Sequence, residues 1–323
     1  MSRREGFRDP RVLIPFILIT LIWSSTWIVI KDQIGGAGGI AVPSAWSVTY
    51  RFLIGAAAML AYAAATGASL RIGRRGHLLA APFGILQFSA NFNLVYAAEH
   101  FVTSGLVATV FALLMVPNSL LAWLFLKQRM TGRFAAGSAL ACVGVALLFV
   151  QEMRSSPIPS SQVAAGIGLS LLAVLAASSA NVMQASGRAA SWPMASLIAW
   201  SMVYGTIANA LFAWAWSGPP MVEPRLGYWI GLVYLGLVAS ALAFPLYFAV
   251  IRAVGPGPAA YSSLLIPIIA MAISTVAEGY RWTPLALAGG AVAIAGMYFA
   301  LRAGRRAAAA SAPPETEQAR DQA

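Results

Sequence analysis

The sequence predicts an all-α membrane protein: ten transmembrane helices arranged as two inverted five-helix repeats. Three observations lead there. Of 323 residues, 59% are hydrophobic and only 10% charged, against about 25% charged in an average soluble domain. A water-soluble fold cannot hide that much apolar surface, so most of the chain must face lipid or other helices. The chain also repeats itself. The segment 103–137, TSGLVATVFALLMVPNSLLAWLFLKQRMTGRFAAG, is echoed by 255–289, GPGPAAYSSLLIPIIAMAISTVAEGYRWTPLALAG. Each copy carries a mid-run proline (Pro117 and Pro267, 150 residues apart) and a polar residue eleven positions later (Gln128, Glu278). A threonine and a glycine pair follow in both, Thr131 with Gly137 and Gly144, Thr283 with Gly289 and Gly296. Five spans per copy is an odd number, so the second copy enters the membrane from the opposite side. The third observation is the basic charge. With both termini in the cytoplasm, sixteen Lys and Arg fall in inner segments and four (Lys31, Arg154, Arg225, Arg281) in outer ones, with Arg51 inside a helix. That asymmetry fixes the orientation.

Residues 1–11 form a basic cytoplasmic leader with Arg3, Arg4, Arg8 and Arg11. Val12 to Ile30 is apolar throughout and too long for the core of a cleaved signal peptide, so it reads as an uncleaved first helix. A glycine-rich loop follows, and Pro43 opens the second helix, to about Thr66. Helix three runs from about Leu78 to Ala98, helix four from Thr103 to Phe125, and helix five from Arg133 to near Val150. The polar SSPIPSSQ linker, 155–162, divides the halves, so the first repeat is 12–152 and the second 163–302. Helices six to ten span about Val163–Gln184, Pro193–Trp216, Tyr228–Ile251, Pro258–Ala277 and Pro284–Leu301. Residues 303–323 are rich in Ala, Pro and Glu and read as a disordered cytoplasmic tail.

Polar side chains inside spans are costly and usually face a bundle interior or a wet cavity. The first helix of each half brings a serine pair to the same depth, Ser24-Ser25 and Ser178-Ser179, at an offset of 154. Helix three adds Gln87, Ser89, Asn91 and Asn93, and helix six Asn181 and Gln184. Serines also bond the carbonyl one turn back, which needs no ligand. Amides need several partners and are harder to satisfy locally. The candidate cavity residues are therefore Ser24, Ser25, Trp27, Asn91, Asn93, Tyr96, Ser178, Asn181, Gln184, Tyr247 and Tyr261. They place the cavity among helices one, three, four, six, eight and nine. For the aromatics, packing and interface anchoring compete with contact to a substrate. Helices five and ten carry few polar side chains and suit the periphery, with Gly289 and Ala293 for close packing. Pro117 and Pro267 should kink the cavity helices. Arg51, in the outer third of helix two, and Glu278 are a candidate gate pair. They would be joined when the outer side is closed and parted when it opens. A static ion pair or snorkelling is the plainer alternative.

Several classes are excluded or disfavoured. The net charge of +11 would suggest nucleic acid in a soluble protein, but here the charges lie in short loops between apolar runs. The single Cys142 permits no intrachain disulfide and reads as a small core residue. No H-E-x-x-H or G-x-x-x-x-G-K-[ST] motif occurs, and no lysine lies at midspan. The sequence points to no enzyme, metal or cofactor. A non-transporting receptor or scaffold is the rival class, and inverted repeats argue against it because alternating access uses that symmetry.

With Ile22-Trp23-Ser24-Ser25-Thr26-Trp27 and Lys31, Arg51-Phe52, the two proline helices, and Glu278 followed by Thr283 and Gly289, the chain resembles the drug/metabolite transporter superfamily in its ten-helix EamA-like branch. The resemblance spans roughly Ile14 to Leu301. One departure is Gln128, where the family often has a glutamate, so paired carboxylates at both repeat ends do not carry over. The resemblance implies a secondary exporter of small metabolites such as amino acids in a bacterial inner membrane. It implies a small-molecule substrate, the lipid bilayer as surroundings, and a monomer or weak homodimer. Coupling to protons and exchange or facilitated diffusion are both open, because the acidic residues lie in tails, loops and helix ends.

Overall fold

The computed structural model describes residues 9–35, 42–127, 131–156, 158–254 and 262–310, and among them there is helix but no strand. The helices are α1 (Pro10–Ile34), α2 (Ser44–Ala65), α3 (Gly73–Glu99), α4 (Ser104–Leu126), α5 (Gly132–Ser155), α6 (Ser160–Gln184), α7 (Met194–Ser217), α8 (Leu226–Tyr247, its last segment Ala243–Val254 running on), α9 (Ser262–Ala277) and α10 (Pro284–Ala310). The first eight are long and apolar enough to cross a membrane, and Leu265–Ala277 and Pro284–Ala300 are shorter apolar helices.

Local chemistry sets the helix starts. Asp9 accepts the Arg11 N–H at 2.8 Å and Pro10 opens α1, so the helix begins two residues before the apolar run. Pro43, Pro159 and Pro193 immediately precede α2, α6 and α7. Thr131 Oγ1 accepts the Phe134 N–H at 3.2 Å, and Thr283 Oγ1 accepts the Ala286 N–H at the same distance. The threonines shared by the two sequence copies are thus the N-caps of α5 and α10. Gly218, at φ +77°, ends α7.

Three expectations need correction. The polar linker is shorter than the sequence suggested, because α5 continues through Ser155 and α6 begins at Ser160. The last helix runs to Ala310, past residue 303, as an alanine-rich stretch favours; residues 311–323, like 1–8, lie outside the described residues. Cys142 is exposed rather than in the core. It sits on the outward face of α5 beside exposed Val143 and Leu140.

Small residues decide the closest packing. On α5 and α10, a methyl group on Gly144 would lie 2.2 Å from Ala293 N, and one on Gly296 would lie 2.2 Å from Ala141 N. Gly84 of α3 meets the Ser201 carbonyl of α7, where a Cβ would come within 2.0 Å. At the matching place in the other half, Gly236 of α8 lies against Arg51 O of α2, with a Cβ distance of 2.9 Å. These backbone approaches are the small-residue packing that replaces hydrophobic drive between helices in lipid. Each of the paired helices α3 and α8 also contains a π-helical stretch, Ile85–Ala90 and Tyr234–Leu242. Such wide turns are frequent at functional sites, and they misalign backbone carbonyls.

Candidate functional site

The π-helical stretch of α8 receives side chains from α1. Trp23 Nε1 donates to Ala239 O at 3.2 Å, and its ring packs edge-on against Tyr247 at 5.1 Å and Phe244 at 5.8 Å. Ser25 bonds the Ile22 carbonyl at 2.9 Å and meets the Tyr234 hydroxyl at 2.7 Å. Trp27 packs on Phe111 of α4 at 5.1 Å. One face of α1 therefore joins both α8 and α4. Ser24 lies buried, its hydroxyl on the Thr20 carbonyl at 2.6 Å, as the local alternative for serine anticipates.

The polar residues of α3 tie helices together in this structure. Asn93 donates to Ser89 O at 2.9 Å and to Asn209 Oδ1 of α7 at 2.8 Å, while Asn209 Nδ2 donates to Phe88 O at 2.9 Å. Phe88 and Ser89 belong to the π-helical stretch, so Asn209 and Asn93 satisfy carbonyls that the wide turn exposes. Asn91 is buried and donates to Gln87 O at 3.3 Å. Tyr96 is fully buried and donates to Gln33 Oε1 of α1 at 2.6 Å.

Helix α4 is two different helices end to end. In its first part, Ser104–Ala112, every residue but Phe111 is buried; in its second, Met115–Leu126, none is. The break falls at Leu113-Leu114, one turn before Pro117. The proline has no N–H for the Leu113 carbonyl, which instead accepts Val116 N at 2.8 Å in a tighter turn. The second part carries Asn118, whose Oδ1 lies 3.5 Å from Asn181 Nδ2 of α6, both residues half-buried. Ser178 is buried, and its hydroxyl has no partner among the described residues. Gln184 Nε2 lies 3.0 Å from the Met194 sulfur. Pro267, by contrast, sits in the second turn of α9 and leaves that helix continuous. Tyr261 lies outside the described residues.

The turn between α3 and α4 is clamped by charge. Lys31 Nζ of α1 donates to the carbonyls of Glu99 and Val102, a cation on the C-terminus of α3. Glu278 Oε1 accepts the Ser104 N–H at 3.2 Å, and its other oxygen accepts the Ser104 and Ser274 hydroxyls. Glu152 Oε1 of α5 accepts the Thr103 N–H at 3.4 Å. Two carboxylates thus sit on the N-terminus of α4, where the helix dipole favours anions. The Arg51–Glu278 pair expected of a gate is not formed here. Glu278 is occupied by Ser104 and Ser274, and Arg51, 3% exposed, lies over the Phe92 ring at 4.2 Å. A different ion pair joins the halves at this end: Arg225, before α8, bonds both oxygens of Asp32 at 2.9 Å and Glu223 at 2.6 Å. The two carboxylates hold the Arg225 guanidinium above its usual range.

Residues 11–150 and 164–302 each match the EamA-like transporter family. The chain belongs to that family. Curated relatives include a probable amino-acid metabolite efflux pump of Salmonella typhimurium, 26% identical over 308 residues that cover 92% of this chain and 95% of the relative. Another is a probable terminal-alkyne amino-acid exporter of Streptantibioticus cattleyicolor, 28% identical over 87% of this chain and 90% of the relative. A crystal structure 20% identical in sequence, covering 92% of this chain and 98% of its own, superposes with a TM-score of 0.66 and shares the fold.

For this EamA-like chain, sequence reasoning missed the partners more than the positions. Asn209 and Asn118 are each the single amide of a long apolar helix, and only the neighbouring helix shows what they bond. Tyr234 is not among the candidate aromatics of the sequence, yet its hydroxyl meets Ser25. Glu99 is one of the helix-end acids of the sequence, and the structure buries it fully.

Proposed function

We propose that the protein is a secondary transporter that exports small metabolites, amino acids among them, across a bacterial inner membrane by alternating access. Both termini are cytoplasmic, and ten spans form two inverted repeats. The observation that carries this reading is the contrast within α4: the part beside the α3–α4 turn is sealed, and the part beyond Pro117 is loose. On the orientation that the basic residues favour, the sealed end faces outside. The conformation then is closed outside and open toward the cytoplasm, the state in which an exporter loads.

Support for the inverted repeats comes from contacts that recur under exchange of the halves. Gly84 of α3 meets α7 as Gly236 of α8 meets α2; the π-helical stretch of α3 begins just after Gly84, and that of α8 contains Gly236. Substrate selection rests on the half-buried polar and aromatic side chains of α1, α4, α6 and α8. The amino-acid class follows the names of the two relatives above, and an uncharged polar lining suits a zwitterion. Efflux of radiolabelled amino acids from proteoliposomes containing the purified full chain tests the reading. Substrate-specific efflux, absent from empty vesicles, is expected; a panel of amino acids that never leaves faster than from empty vesicles refutes it. Topology has its own check in a Cys142→Ala background, where Ser160→Cys should react with impermeant maleimide in intact cells and Gly73→Cys should not.

A further inference from the structure

The clamp at the α3–α4 turn leaves one charged group with nothing to bond. Glu99, the last residue of α3, is 0% exposed, and neither carboxylate oxygen has a hydrogen-bond partner or contact with water among the described residues. Every other acid of the clamp has a donor. Glu278 has Ser104 and Ser274, and Glu152 has the Thr103 N–H.

The charges around Glu99 do not relieve it. Lys31 faces it from α1, Arg51 from α2 and Glu278 from beyond α9; Glu152 of α5 shares Lys31 and Glu278 with it, and Tyr96 and His100 flank it on its own segment. Lys31 directs its ammonium to the Glu99 and Val102 carbonyls rather than to the Glu99 side chain. Arg51 stands over Phe92, with Nε and Nη1 unpartnered. The closed turn thus gathers three carboxylates against two cations, neither of which bonds the Glu99 carboxylate. A carboxylate cut off from both donors and water is far better accommodated as the neutral acid. No cavity large enough for a bigger ligand touches its oxygens, since they contact no water-sized space. A proton fits.

We propose that Glu99 is a proton-binding site whose occupancy is tied to closure of the outer end. On closure, a proton from the outside water forms an O–H bond with the Glu99 carboxylate. On opening, Glu278 leaves Ser104, water reaches Glu99, a neighbouring negative charge recedes, and the proton returns to water. External acid then favours the closed state and external alkali the open one. This rests on the alternating-access reading above and adds the group that makes it proton-linked.

The test uses the full chain in proteoliposomes with Cys142→Ala and a reporter cysteine at Ala108. That residue is buried one turn along α4 from Gly105, which packs on Met271 and Ser274. Labelling by impermeant maleimide from outside, normalised to an exposed cysteine at Met221, is followed from about pH 5.5 to 8.5. One proton separating the two states changes their ratio by about tenfold per pH unit within the linkage window. The expected result is labelling that rises with pH at up to that slope, stays flat in Glu99→Gln and keeps its slope in Glu99→Asp. An equal slope in Glu99→Gln, or labelling that is flat or absent in the parent protein, overturns the proposal. Monodispersity of each variant in detergent controls for folding. Amino-acid efflux from the same vesicles separates the two ideas. Efflux with pH-independent labelling rejects the proton site alone, whereas pH-dependent labelling without efflux rejects the substrate reading and retains the site.

Discussion

The carboxylate of Glu278, just after α9 in the second repeat, accepts the backbone N–H of Ser104, the first residue of α4 in the first repeat. A charged acceptor at a helix N-terminus is favoured by the dipole and by charge-assisted bonding. This contact links the repeats at the end where α4 is fully packed, so it should hold that end shut. Ser104→Ala removes one of the carboxylate's donors and should lower stability by about 1 kcal/mol. Glu278→Gln keeps an acceptor but loses the charge, and should raise labelling of a cysteine at Ala108 several-fold. Thermal unfolding and maleimide labelling check both, and unchanged labelling in Glu278→Gln would remove the contact from any gating role.

The α5–α10 pair makes a stability prediction that is independent of transport. At Gly144 a methyl group would stand 2.2 Å from Ala293 N, a backbone atom that cannot rotate away, whereas Gly290 on the same pair has nothing within 4 Å. Gly144→Ala should cost about 1–3 kcal/mol through overpacking. Gly290→Ala should be neutral or slightly stabilising, because alanine is the better helix former. Melting temperatures of the two variants in detergent decide it, and equal melting would mean that the helices separate more readily than this packing implies.

The repeat glycines were legible in the sequence because backbone approach in lipid has few solutions, and the glycine pairs at matched offsets marked them. The cap role of Thr131 and Thr283 was half visible: the threonines recur, but only the structure shows that each bonds the N–H three residues on. The clamp was not legible. Lys31, Glu99, Glu152 and Glu278 lie on four separate segments, and helix ends bring together residues that no local pattern connects. Nor does a sequence reveal that Glu278 would choose the end of α4 over Arg51. The guanidinium of Arg51 faces Phe92 inside the bundle, and that preference depends on how α2 is rotated.

The amides divide by environment. Asn91 is 2% exposed and bonds within its own helix, while Asn181 is half-buried and faces Asn118 on the loose part of α4. Asn181→Leu should slow amino-acid efflux by about tenfold, the loss expected when one polar contact of about 1.4 kcal/mol disappears. Its melting temperature should stay near that of the parent. Asn91→Leu should do the reverse, lowering stability while the remaining folded protein transports. Initial efflux rates per folded molecule, set beside thermal unfolding, distinguish them; identical profiles would end the distinction between a path residue and a packing residue.

Pro117 is where the sequence forces the two parts of α4 apart. A proline in a helix interior costs about 3 kcal/mol, from the missing hydrogen bond and the clash with the preceding turn. Here the chain relieves it by a tight turn, with Val116 N on Leu113 O at 2.8 Å. Pro117→Ala supplies an N–H that can take the Leu113 carbonyl in a regular helix. The tight turn then has no reason to persist, α4 straightens, and its second part swings toward the packed line of Ser104–Ala112. That movement displaces Asn118 from its place 3.5 Å from the Asn181 amide. The variant should therefore melt at or above the parent temperature yet export more slowly, by about tenfold or more if the bend is needed in each cycle. Pro267→Ala is the control, since α9 is continuous through its proline, and should change export less. Efflux rates and melting temperatures of both variants give the answer: a stable Pro117→Ala protein that exports at the parent rate would show that the bend in α4 is a feature of packing and not of the transport cycle.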